Sequence, residues 1–123
     1  MPDERHERGA AGERFAEALL ASKGMRVVAR NFATPVGEID RVMDDAGTLV
    51  FVEVRTRSDA RSADPMAAMS ADKRGRLLRA AEWFVNRKGA QHRPLRFDFV
   101  VVLQAADGEL SANHYADAFL PKR

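Results

Sequence analysis

Residues 37–57 read "GEIDRVMDDAGTLVFVEVRTR": two apolar runs around Ala46-Gly47, with Glu38, Asp40, Glu53 and Arg55 set inside them. Charges inside a sheet are costly unless something compensates them. A two-residue loop at Ala46-Gly47, closed by Asp45 opposite Thr48, fixes the register, with Gly47 supplying a positive φ. Val42 then faces Phe51, Asp40 faces Glu53 and Glu38 faces Arg55 on one side. On the other side Met43 faces Val50, Arg41 faces Val52 and Ile39 faces Val54. The second side is nearly all apolar and is predicted to be core, with Arg41 an anomaly in it. The first side sets two carboxylates opposite one another, and like charges so placed repel.

That register leaves two compensations open. A divalent cation, Mg²⁺ or Mn²⁺, would turn the repulsion into coordination by hard oxygen ligands. Alternatively Arg55 pairs with Glu38 while neighbouring arginines neutralise Asp40 and Glu53. Glu13 stands at the edge of the first helix's apolar face and is a candidate third carboxylate.

Working outward, Gly9–Lys23 fits an amphipathic helix stopped by Gly24, and Met25–Phe32 a strand ended by the turn "ATPVG". After the hairpin, "RSDARSAD" is a polar loop, and Asp64-Pro65 is placed to cap a short helical turn. Ser70 is placed to cap a helix over Ala71–Lys88, which "KGAQHRP" ends. "RFDFVVVL" (Arg96–Leu103) is the most strand-like run, and "DGE" turns it into a last strand at Leu110–Tyr115. The predicted order is helix, three strands, helix, two strands: an α/β sandwich on a small sheet. Residues 1–8 are expected to be a flexible leader to a single domain over 9–120.

Composition narrows the classes. The 123 residues, 46% hydrophobic and 31% charged, suit one soluble domain. With no cysteine there is no disulfide framework and no thiolate chemistry. No run is apolar enough for a transmembrane helix, and the polar start lacks ordinary secretory-signal form, so the expectation is a cytoplasmic protein without a membrane partner.

The net charge is only +2, but its distribution is uneven. Residues 37–54 hold five acids against Arg41, whereas residues 72–96 hold eight bases against Asp72 and Glu82. A cation site beside a polyanion surface would produce such a pattern, and so would a solvated basic helix face. On a helical wheel Leu77, Leu78, Ala81, Phe84 and Val85 form the buried stripe of the second long helix. Trp83 falls opposite it among Arg76, Arg79 and Arg87, a set suited to bases and phosphates; the alternative is a Trp83 packed under a loop. Lys73 lies near the helix start, toward the carboxylates. His6, His92 and His114 are read as surface or boundary residues, and Asp98 as a strand aspartate paired with a nearby arginine.

Taken together, "GERFAEALLASKGMRVVARNF", "GEID", "FVEVRTR", "DKRGRLLRAAEWF" and "RFDFV" resemble the YraN-like family of small bacterial proteins. That family is placed with the restriction-endonuclease-like nucleases, nearest the archaeal Holliday junction resolvases, and the resemblance runs from about Gly9 to Phe119. It implies a restriction-endonuclease-like α-β-β-β-α-β-β sandwich with a small mixed sheet, and Mg²⁺- or Mn²⁺-dependent hydrolysis of structured or branched DNA.

On the PD-(D/E)XK signature, Asp40 stands at the aspartate, Glu53 at the Asp/Glu and Arg55 at the lysine position. Glu13 matches the assisting helix glutamate, so the implied metal ligands are Asp40, Glu53 and Glu13. Glu38 and Lys73 would support them from behind. Arg57, Lys73, Arg74, Arg76, Arg79, Trp83 and Arg87 would bind nucleic acid. Arginine in place of the motif lysine is a departure, because arginine cannot act as a base. The rival expectations are a non-catalytic accessory protein of DNA repair or recombination, and a protein-interaction scaffold. Pairing of two copies is expected by analogy with resolvases.

Overall fold

The turn at the centre of the hairpin forms as its sequence requires. Ala46 and Gly47 both take positive φ (51° and 100°), with Asp45 opposite Thr48. The Gly47 N–H donates to Asp44 Oδ1 at 2.9 Å, which offsets the strain of a left-handed alanine. From this turn the ladder pairs Asp44 with Leu49, Met43 with Val50, Val42 with Phe51 and Arg41 with Val52, the predicted register.

The computed structural model describes residues 4–58 and 69–118. In chain order the elements are α1 (Glu4–Ser22), β1 (Arg26–Thr34), β2 (Gly37–Asp45), β3 (Thr48–Arg57), α2 (Ala71–Lys88), β4 (Leu95–Gln104) and β5 (Leu110–Tyr115). The predicted succession of helices and strands is therefore the one found, although α1 begins at Glu4 rather than Gly9. The Asp64-Pro65 turn lies outside the described residues.

The five strands form one sheet in the order β1-β2-β3-β4-β5, antiparallel except for the parallel β3–β4 pair. Parallel neighbours need a long crossover, and α2 lies in it. Its ends follow local chemistry: Ser70 Oγ accepts from the Lys73 N–H, and Gly89 closes the other end at φ 65°.

The helices cover opposite faces. Ala16 and Leu20 of α1 pack with Met43, Val50, Val52, Val100 and Val102. Leu77, Ala81, Phe84 and Val85 of α2 pack with Val42, Phe51, Phe97, Phe99 and Val101. Val50/Phe51 and Val100/Val101 alternate between the two clusters, as strand side chains must.

Ile39 departs from expectation. Placed with Arg41 and Met43 by simple alternation, it instead joins the α2-side cluster beside its β1 partner Phe32, whose ring meets Phe84 edge-on at 5.0 Å. The cause lies in β2–β3: the ladder stops at Arg41 opposite Val52, and the Val54 N–H is taken by Asp40 Oδ2 at 2.8 Å. A side chain replaces the ladder, the strands part, and the expected Ile39–Val54, Asp40–Glu53 and Glu38–Arg55 pairings do not continue it.

Arg41, the odd charge on the α1 side, is 4% exposed and fully engaged. Its Nε donates to Glu17 Oε1 (2.8 Å) and its Nη1 to Glu13 Oε1 (3.0 Å) and the Asp40 carbonyl (2.7 Å). Two helix carboxylates thus pay for one buried guanidinium and tie α1 to β2.

Gly12 sets how closely α1 approaches the sheet. It is buried, and a Cβ there would collide with Thr56 Oγ1 of β3. Gly12→Ala is expected to cost about 1–2 kcal/mol, overpacking outweighing the better helix propensity of alanine. In a Thr56→Ala background the same change becomes neutral or stabilising. Thermal melts of the four proteins test this, and additive effects would refute it.

Candidate functional site

Where β2 and β3 part, the sequence-predicted carboxylates line two clefts that share Arg55. Asp40 is half-buried and oriented by its bond from the Val54 N–H. It lines a cleft of about 330 Å³ with Gly9, Glu13, Arg55, Thr56 and Arg57. Glu53 is half-buried on the α2 side, in a cleft of about 160 Å³ with Glu38, Arg55, Lys73, Arg76 and Leu77. Arg55 lines both clefts, and its Nη1 lies 2.7 Å from Glu53 Oε1.

The two acids carry their charges at a cost. Burial pushes the Asp40 carboxyl up, and the Glu53 and Glu13 carboxylates push it further. The Val54 N–H and Arg55 pull it down, and the balance lies at about 7. Burial also raises Glu53, against the pull of Arg55 and Lys73, and it too stays above its ordinary value. Burial is the largest cause at both carboxyls, and repulsion from neighbouring carboxylates adds to it.

The donor set fits Mg²⁺ or Mn²⁺ in a limited way. Among the described residues no three of His, Cys, Asp or Glu gather as a metal-holding group. Glu13, the expected third ligand, accepts at Oε1 from Arg41 Nη1 and from Asn31 Nδ2 (2.7 Å). Glu38 accepts from the same Asn31 nitrogen at 3.1 Å and does not orient Arg55, whose partner is Glu53. Mg²⁺ nevertheless commonly uses only one or two carboxylates, with water and substrate phosphate completing its shell. Asp40 and Glu53 are two carboxylates that line separate clefts sharing Arg55. Asn31, absent from the sequence-based site, stands between Glu13 and Glu38 at φ 46°; an asparagine inside an apolar strand run was its only signal.

Residues 12–102, which include Glu13, Asp40, Glu53 and all of α2, match the uncharacterised protein family UPF0102. The chain belongs to UPF0102. Over 111 residues it is 42% identical to a UPF0102 protein of Symbiobacterium thermophilum, covering 90% of this chain and 94% of that protein. A UPF0102 protein of Nitratidesulfovibrio vulgaris is 40% identical over 119 residues, 97% of this chain and 88% of its own. One from Solibacter usitatus is 46% identical over 101 residues, 80% and 76% of the two chains. The YraN-like resemblance is to this family.

The predicted nucleic-acid residues of this UPF0102 chain divide by position. Lys73 and Arg76 reach the Glu53 cleft, and Arg57 the Asp40 cleft. Arg79, Trp83 and Arg87 are exposed along α2, Trp83 by 44%. Arg74 is also exposed, but it lies nine residues from Trp83 and so on the opposite side of the helix.

On the neighbouring strand β4, where Asp98 pairs with Val52, a second charged cluster appears. Asp98 is 0% exposed and accepts from Arg96, His114 and the Asp117 N–H. His114, read as a surface or boundary residue, lies at the boundary, with a side chain only 5% exposed and its Nε2 facing Asp98 at 2.7 Å. Among the described residues, no helix is long and apolar enough to cross a membrane.

Proposed function

We propose that this protein is a metal-dependent DNA endonuclease of the restriction-endonuclease-like superfamily, related to the Holliday junction resolvases and acting on structured or branched DNA in the cytoplasm. The observation that supports this best is a pair of half-buried carboxylates, Asp40 and Glu53, both held above their ordinary pKa where two clefts lined by arginine and lysine meet at Arg55. The α-β-β-β-α-β-β order with one parallel strand pair agrees with that superfamily.

Asp40 and Glu53 would hold Mg²⁺ or Mn²⁺, which supplies Lewis-acid polarisation of a phosphoryl oxygen and an acidified water. The Val54 N–H fixes the Asp40 carboxylate, and Arg55 fixes Glu53. Arg55 takes no proton; it hydrogen-bonds the phosphate and offsets charge developing on its oxygens. Lys73 and Arg76 on one side and Arg57 on the other hold flanking phosphates. Two copies of the chain would meet the two strands of a symmetric junction.

A second reading rests on the 2.7 Å Arg55–Glu53 ion pair, which compensates Glu53 without a metal. It makes the protein a nucleic-acid-binding accessory factor that does not cut.

Linear, flapped and four-way DNA, each incubated with Mg²⁺ or Mn²⁺, separates the readings. The nuclease reading expects cleavage that falls at least about 100-fold in Asp40→Asn and in Glu53→Gln. Salt-dependent binding with no cleavage of any substrate selects the accessory reading. No binding at low salt removes both and leaves a protein-interaction scaffold.

A further inference from the structure

Three large apolar side chains stand exposed among the described residues: Val28, Trp83 and Leu95. Trp83 alone of these lies in a helix with cations on its own face. Leu77, Ala80, Ala81, Phe84 and Val85 of α2 are buried, and Leu78 packs partly buried against the same cluster. Arg79 precedes Trp83 by four residues, Arg87 follows it by four, and Arg76 precedes it by seven. Those intervals place all three arginines on the Trp83 side of the helix.

The stripe has a direction. Arg76 also lines the Glu53 cleft, with Lys73 and Arg55 beside it. At about 1.5 Å of rise per residue, Trp83 lies roughly 10 Å along α2 from Arg76, and Arg87 about 6 Å further. At the stacked spacing of about 3.4 Å per nucleotide, roughly three nucleotides separate the cleft from the indole.

We infer that the outer face of α2 is a track for a single-stranded nucleic-acid segment, with Trp83 stacking an unpaired base and Arg76, Arg79 and Arg87 holding the phosphates on either side. This deepens the nuclease reading by naming the form of DNA delivered to its cleft. In a continuous duplex both faces of each base are covered by its neighbours, so a duplex engages the arginines and leaves the indole idle. An unpaired segment engages both, since every base offers a π-face to an aromatic side chain. A single-stranded arm or gap beside the cleavage point is thus the feature this surface selects.

Trp83 is the only tryptophan in the chain, so its fluorescence reports on the proposed contact directly. Purified full-length protein is titrated in EDTA with a 15-nucleotide oligo-dT, with a blunt duplex of equal length, and with polyglutamate. The expected result is saturable, salt-sensitive quenching by oligo-dT and little by the duplex. Trp83→Ala should weaken oligo-dT binding about 10-fold, followed by anisotropy, and leave duplex binding unchanged, whereas Trp83→Phe keeps most of the affinity. Arg79→Ala and Arg87→Ala should each lower the salt dependence by about one phosphate contact. Equal quenching by duplex, unchanged affinity in Trp83→Ala, or quenching by polyglutamate as strong as by oligo-dT overturns the proposal; the last result would mark an acidic protein as the partner. Because EDTA blocks metal-dependent cutting, failure here is distinct from failure of the nuclease reading, which the cleavage assay tests alone.

Discussion

Replacing Asp98 by alanine is expected to remove about 3–5 kcal/mol of stability, a large share of what a domain of this size possesses. Four donors converge on its carboxylate. Arg96 Nε and Nη2 donate at 2.9 and 3.1 Å, the Asp117 N–H at 3.0 Å, and His114 Nε2 lies at 2.7 Å. Lys23 Nζ, near the end of α1, lies 2.7 Å from His114 Nδ1. A charged lysine can only donate there, which leaves the Nε2 proton directed at Asp98. One side chain therefore joins β4, β5, the turn after β5 and α1.

Arg96 keeps Asp45 as a partner at 2.9 Å when Asp98 is lost, but buried His114 and the Asp117 amide lose theirs. A fall in melting temperature on the order of 10 °C is the corresponding observable. Burial pushes the Asp98 carboxyl up; Arg96, the Asp117 N–H and His114 more than reverse that, so it lies below its ordinary value. A carboxyl depressed in the folded state contributes stability above its unfolded pKa and loses it as pH falls through the folded value. The gap between wild type and Asp98→Ala should hold through neutral pH and close only in strong acid. Equal melting at pH 7 would show that the cluster carries no weight.

Asp40→Asn is expected to act in the opposite direction. The asparagine Oδ1 still accepts from the Val54 N–H, so the local geometry is kept while the charge is removed. Asp40 titrates near 7 in the fold and near 4 in the unfolded chain. Between those values the folded state binds more protons, so stability falls as pH rises, and the full penalty is present above about pH 7. At pH 8 without divalent metal the variant should be more stable than wild type, by on the order of 1–3 kcal/mol. The difference should vanish by about pH 4. Added Mg²⁺ or Mn²⁺ should raise the melting temperature of wild type and leave that of Asp40→Asn nearly unchanged. A variant less stable than wild type at pH 8 in EDTA would mean that the Asp40 charge is already compensated.

What the sequence disclosed was local. The Ala46-Gly47 turn, the pairing from Arg41 to Asp45, the Ser70 cap and the Gly89 stop depend on neighbours within a few residues, and their residue types announce them. Ile39 leaves the alternating pattern for one reason: beyond Arg41 a carboxylate, not a carbonyl, receives the next N–H. Glu13 looked available as a ligand because its partners lie far along the chain, Asn31 by 18 residues and Arg41 by 28. The pairing of Asp98 with a nearby arginine, Arg96, was legible, but the rest of its cluster was hidden, since Lys23 and His114 are 91 residues apart and meet only when β5 pairs with β4 beside the end of α1. Asp40, Glu53 and Arg55 could be selected as a group from hairpin register and family motif together. Their division between two clefts could not.

The bond from the Val54 N–H to Asp40 has one more consequence. In a ladder this amide would answer to a backbone carbonyl and report only on the strand. Here its acceptor is the ionisable oxygen itself, so its proton chemical shift tracks whether that oxygen is charged, protonated or bound to a cation. The amide of Val54 is a resident spectroscopic probe of the site, readable without any label at the carboxylates and without catalytic turnover.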